Sequence, residues 1–417
     1  MNKNFLSSFP WIDEMKKRMN GISVPEYREV NGHIHTPYSF SAFEKLETAF
    51  KMAKDEEVAV LGINDFFVAD GYKAFKTGCL RNKIFPLFNI EFIGLLKEEQ
   101  KKGIRINDPN NPGRIYFSGK GLDFPFNPGF MQKLMLNRVI RKSQEQIRAM
   151  IAKLNGLIST INPSLRITYE GVKERFAENL VRERHLAKAV RILAAENYPT
   201  AEEQLKFIES LYWGKKSKVG IQNPAALENE IRSNLLKSGG AAFVKEEETS
   251  FLDLEKIIKV IHQAGGIPCY PVLLDDPSGK CTDFEADKEK LFSSLSGMGI
   301  GCIELIPGRN DHAVLKTFVE FFHSKGFIIL FGTEHNTPEM SPLKVTARGG
   351  QPLDESLRRI AWEGACVIAA HQYLRAHRRQ GYVLSDGKLS NDQKHELTML
   401  GRMVIEYYLI RKQYEPA

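Results

Sequence analysis

Short apolar segments alternating with helical periodicity constrain this chain more than any other feature. VAVLGIN (58–64) and IFPLFNIEFIGLL (84–96) read as buried strands. So do GIPCYPVLL (266–274), GIGCIELIPG (299–308) and FIILFG (327–332), and a further strand is expected near 29–35. Helices fall between them. One lies near 43–56, where Leu46, Ala49, Phe50 and Ala53 share a face, and another near 70–82. Leu254, Ile257, Ile258 and Ile261 form an i, i+3, i+4, i+7 stripe that Gly265-Gly266 stops, and a helix over 311–325 ends at Gly326. Such alternation predicts a parallel sheet or barrel. Ligands in these folds gather at the C-terminal ends of the strands.

The alternation is interrupted. Residues 97–128 are rich in Gly, Asn and Pro and read as a long irregular excursion of the kind that often carries function. Residues 129–250 read as an inserted helical region, with Ser143 and Gln146 spaced as a capping box that starts one of its helices. Two helices, near 354–374 and 391–412, close the chain. The 417 residues therefore read as one enlarged α/β unit: a core at 25–128 and 251–350, an insertion at 129–250 and C-terminal helices at 351–417.

Composition narrows the partners. A formal charge of +7 is a mild excess over so long a chain. No basic stripe interleaved with aromatics accompanies it, so nucleic acid is not expected. No apolar run approaches the roughly 20 residues of a membrane helix, and the N-terminal MNKNFLSSFPWIDEMKKRMN lacks the apolar core of a signal peptide. Five widely spaced cysteines with no CxxC fit reduced thiols in a cytoplasmic protein. Oligomeric state is not legible.

The chemistry-bearing residues sit at the strand ends. NGHIHTPYSF (31–40) holds His33 and His35, and side chains at i and i+2 of a strand point the same way. Two imidazoles so placed can grip one metal ion, or can simply be solvated polar groups beside a loop. Asp65 ends the second strand, where it could equally cap the next helix. Glu91 lies within the apolar LFNIEFIGL, where a carboxylate must be metal-bound, paired or neutralised. Glu304 lies in a later strand, and His335 follows the last. Arg309, followed by Asn310, could clamp an anionic group. Lys120, in Ser118-Gly119-Lys120-Gly121, could offer an ammonium to an anion from a flexible turn.

These motifs together resemble the PHP family, the metal-dependent phosphoesterase domain of histidinol phosphatases and bacterial replicative polymerases. The HxH opening is His33-Ile34-His35, followed by Thr36-Pro37-Tyr38-Ser39. The family's Thr-Asp-His is matched by Asn64-Asp65-Phe66, and its lone strand glutamate by Glu91. An Ala-His-Pro is matched by Cys269-Tyr270-Pro271, the next strand glutamate by Glu304, and the final Gly-Ser-Asp-x-His by Gly332-Thr333-Glu334-His335. The resemblance covers residues 30–95 and 255–340. It implies a distorted seven-stranded (β/α) barrel and hydrolysis of a small anionic, phosphorylated substrate. Its metal ligands would be His33, His35, Asp65, Glu91, Glu334, His335 and, from the insertion, His185. Asp65, Glu91 and His335 would be catalytic, and Arg309, Asn310 and Lys120 would bind substrate. Phe66 and Tyr270 stand where the family has metal-binding histidines, so one or two ions of Zn²⁺, Mn²⁺ or Fe²⁺ are expected rather than three. Two other readings remain: an amidohydrolase-like enzyme acting on a sugar acid, and a degenerate barrel that serves as a binding module.

Overall fold

The computed structural model describes residues 4–274, 281–384, 387 and 389–411. Its strands are β1 (Glu29–Ile34), β2 (Val58–Phe66), β3 (Phe85–Leu95), β4 (Arg114–Lys120), β5 (Ile267–Pro271), β6 (Cys302–Leu305) and β7 (Ile328–Phe331). They form one seven-stranded sheet in sequential order. Every pairing is parallel except those of β4, which runs antiparallel to both β3 and β5. Past the end of β7, Glu334 exchanges backbone hydrogen bonds with β1: His35 N–H donates to Glu334 O (2.7 Å) and Glu334 N–H to His33 O (3.0 Å). The sheet thus nearly closes into a distorted (β/α) barrel. All of β3 is buried, which accounts for its mostly apolar sequence and leaves Asn89 and Glu91 as buried polar groups within it.

β4 departs from the expected irregular excursion. Ile115 and Phe117 bury one face of RIYFSGK, and glycines of positive φ, Gly113 and Gly121, bound the strand. These breakers give the segment its loop-like composition. Its strand character comes from neighbours distant in sequence, because Ser118 pairs with both Glu91 and Cys269.

Residues 129–250 are mostly helical, and the first helix among them runs unbroken from Phe130 to Ile161. Ser143 therefore starts nothing; its hydroxyl accepts from Gln144 Nε2 (3.0 Å). The buried stripe of Leu136, Val139, Ile147, Met150, Leu154 and Ile158 continues past it with no breaker. The insertion has its own apolar core, including Leu154, Ile158, Val190, Phe207, Leu227 and Ile231. It docks on the loop after β1, where Glu178 N–H donates to Pro37 O (3.2 Å) and Leu180 N–H to Tyr38 O (3.1 Å). The C-terminal helices are Glu355–Ala376 and Lys394–Ile410; the expected end of the second, residue 412, lies outside the described residues. Among the described residues, no helix is long and apolar enough to cross a membrane.

Closure of β7 onto β1 depends on Gly332. A Cβ there would lie 2.3 Å from His33 Cβ and 2.9 Å from His33 O. Gly332→Ala should cost about 1–3 kcal/mol, the usual penalty of overpacking, read from urea unfolding. An unchanged midpoint would contradict this contact.

Candidate metal centre

His33 and His35 leave β1 on the same side, as strand periodicity requires, and their Nε2 atoms lie 3.2 Å apart. Glu91 reaches the pair from β3, with Oε2 3.2 Å from His35 Nε2. All three side chains are buried, and their ligand atoms lie within 4.8 Å of one another. Ligand atoms about 2.0–2.1 Å from a tetrahedral ion stand about 3.3 Å apart, so the spacing fits a common ion. The chemistry of the donors fits as well. Glu91 Oε2 is buried and accepts no hydrogen bond. Burial, partly offset by His33, pushes the Glu91 carboxyl up to about 8. Burial also pushes the His35 imidazole down to about 4, against the pull of Asp65. The protein thus holds two imidazoles, one of them strongly disfavoured as a cation, beside an oxygen with no donor. A divalent cation satisfies all three.

A second layer orients the first. Glu304 on β6 approaches His33 Nδ1 with Oε2 (3.0 Å) and accepts from Ser118 Oγ through Oε1 (2.6 Å). Lys120, fully buried at the end of β4, donates its ammonium to Glu304 Oε2 (2.5 Å) and Asn64 Oδ1 (3.2 Å). Burial works against ionised Glu304, but Lys120 and His33 outweigh it and hold the carboxyl far below its ordinary range. Asn64 Nδ2 lies 3.0 and 3.2 Å from the two ring nitrogens of His33. That near-equal spacing sets it against the ring, off the lone-pair direction of either nitrogen.

The remaining residues singled out from sequence are placed around this cluster. Asp65 accepts from Thr36 N–H (2.7 Å), Thr36 Oγ1 and Ser39 Oγ (2.6 Å), and Ser39 Oγ in turn lies 3.3 Å from His35 Nδ1. Burial raises the Asp65 carboxyl; the nearby His35 and these donors oppose the shift. Glu334 pairs with Arg309. Both ring nitrogens of His335 are engaged, Nδ1 with Thr333 Oγ1 and Nε2 with Ser341 O, each at 2.8 Å, and its ring stacks on Phe43. His185 accepts from Arg182 N–H through Nδ1 (2.9 Å) and packs edge-on against Phe40; burial pushes it down to about 3. Asn310 is buried in the turn after β6, its carbonyl accepting from Arg348 N–H (2.9 Å). Lys120 stands in a strand and not in a turn. Tyr270 gives its hydroxyl to Glu285 (2.9 Å). Phe66 stacks on His35 with ring centroids 4.6 Å apart.

Sequence reasoning missed Arg182 as a site residue. Its guanidinium lies 4.5 Å from the centroid of the Phe66 ring, the same ring that stacks on His35. Among the described residues no carboxylate forms an ion pair with it. The available signal was the pair of arginines flanking His185 in VRERH.

No sequence-family model matches the chain, and no curated protein matches it. Solved structures do. A protein of Bifidobacterium adolescentis inferred to be a metal-dependent phosphoesterase superposes with a TM-score of 0.53 at 13% identity, covering 80% of this chain and 95% of its own. An amidohydrolase of Chromobacterium violaceum, solved with sulfate and no metal, gives 0.48 at 15% identity, covering 80% of this chain and 96% of its own. At such identity the first likeness is one of fold.

Glu91 and His35 give metal-free protein a defined pH response. Glu91 shifts from 4.5 to about 8 on folding, so the stability it contributes is lost as pH rises through that window. His35 shifts from 6.5 to about 4, so its contribution is complete above pH 6.5. Between pH 6.5 and 8 Glu91 therefore sets the difference. Metal-free wild type should lose on the order of 2 kcal/mol relative to metal-free Glu91→Gln across that range. Denaturant unfolding at the two pH values measures it, and parallel behaviour of the two proteins would contradict an unpartnered, buried Glu91.

Proposed function

We propose that the protein is a metal-dependent hydrolase of small phosphate esters, divergent from but related to the PHP phosphoesterases. The observation that carries this reading is the buried His33–His35–Glu91 cluster with its unpartnered carboxylate oxygen. The fold likeness to an inferred metal-dependent phosphoesterase supports it. Imidazole and carboxylate donors without thiolate suit Zn²⁺, Mn²⁺ or Fe²⁺. A divalent ion bound there would lower the pKa of a water it holds from 15.7 to about 7 and polarise a phosphoryl oxygen.

The chain's own residues do the rest. His33 and His35 would hold the ion, and Glu91 would supply the third donor. Glu304 accepts the Nδ1 proton of His33 and so fixes the tautomer that turns the Nε2 lone pair inward. Asp65 holds the Thr36–Ser39 turn and, through Ser39, the orientation of His35. Arg182, held over Phe66 at the start of the helix Glu183–Asn197, is the guanidinium best placed to meet an anionic group. Arg309 and Asn310 border the same end of the barrel, with Arg309 committed to Glu334. The insertion covers the loop that follows His35 and limits water there.

Assay on a panel of phosphate monoesters, beside sugar acids and amides, separates the enzyme classes. Glu91→Gln should lower kcat on phosphate esters at least about 100-fold with an unchanged circular dichroism spectrum; undiminished turnover would sink the assignment. Arg182→Ala should raise KM roughly 10-fold, as loss of one charge-assisted hydrogen bond would, with metal content unchanged.

A further inference from the structure

Asp65, Glu91, Glu304 and Glu334 lie around the histidine pair, and their partners differ in kind. Asp65 is met by Thr36 and Ser39, and Glu334 by Arg309. Glu304 is met by Lys120, Ser118 and His33. Glu91 alone of the four has a buried oxygen with no hydrogen-bond partner. Only one of these carboxylates therefore still calls for a cation.

The Lys120 position explains why the number is one. Its ammonium is fully buried on β4 and lies against two oxygens, Glu304 Oε2 at 2.5 Å and Asn64 Oδ1 at 3.2 Å, with Ser118 Oγ on the other oxygen of Glu304. A carboxylate, an amide oxygen and a hydroxyl are the hard donors a second divalent ion would use. Here the chain supplies the positive charge itself. Resting on the metal-dependent reading above, we propose that Lys120 is a built-in cation standing in for a second metal ion, so that the centre takes one divalent ion and not two. The ammonium and an incoming ion would compete for Glu304 and repel each other at short range. The ammonium holds its place because without Glu304 it would be a buried, uncompensated charge. Lys120 is thus a positioning residue. It holds Glu304 in place against His33 and offsets part of the negative charge around the cluster, without metal exchange.

The test is metal stoichiometry, by equilibrium dialysis against Mn²⁺ followed by elemental mass spectrometry. Wild type should hold one ion per chain. Lys120→Ala, which removes the charge and makes room beside Glu304, should hold two. Lys120→Ala/Glu304→Gln, which removes the attraction as well, should return to one. Two ions in wild type, or one in a folded Lys120→Ala, would overturn the built-in cation while leaving the metal-dependent reading intact. No ion in folded wild type would overturn that reading and the proposal with it. Should Lys120→Ala fail to fold, the wild-type count and the double variant still decide: two ions in either would overturn the proposal.

Discussion

A carboxylate placed in the middle of a wholly buried strand is the constraint on which the rest of this structure turns. Glu91 has no aqueous shell, and one of its oxygens has no donor. Left alone, such a group costs several kcal/mol, roughly, or is driven to take up a proton. What makes the position useful is its surroundings. β1 delivers two imidazoles to it from one side of a strand, and β7, closing through a glycine, presses β1 into that position. The unfavourable group and the barrel geometry therefore belong to a single arrangement, in which a divalent cation would relieve the burial that the fold imposes.

Around this point the fold spends its polar groups selectively. Asp65 ties down the turn that follows His35, and Glu304 supports His33 from behind while Lys120 neutralises it. Arg309 neutralises Glu334. The helical insertion closes on the same turn through two backbone hydrogen bonds and brings Arg182 over the ring of Phe66. At Phe66 an aromatic ring stacks on His35 and also carries the Arg182 guanidinium.

Much of the barrel was legible in the sequence because its parallel strands are buried on both faces and so announce themselves as short apolar runs between helical stripes. The HxH pair and Glu91 were legible for a local reason too: strand periodicity aims the first two together, and a lone acid in an apolar run demands explanation. β4 was not legible. It pairs antiparallel with the preceding strand β3 on one side and, on the other, with β5 from beyond the helical insertion, and glycines of positive φ bound it as they would a loop. Lys120 was misread for the same reason, since a lysine between two glycines looks solvated until two other strands bury it. Ser143 misled because capping chemistry is local, whereas continuation of the helix was set by the apolar stripe packing on both sides of it.

The most direct test is anomalous diffraction at the metal absorption edge, on crystals of protein loaded with Zn²⁺ or Mn²⁺. The account predicts a peak about 2.0–2.2 Å from His33 Nε2, His35 Nε2 and a Glu91 oxygen, and none at that place in His33→Ala/His35→Ala. A peak held by other side chains, or none in loaded wild type while Glu91 accepts a hydrogen bond from protein or water, would contradict it.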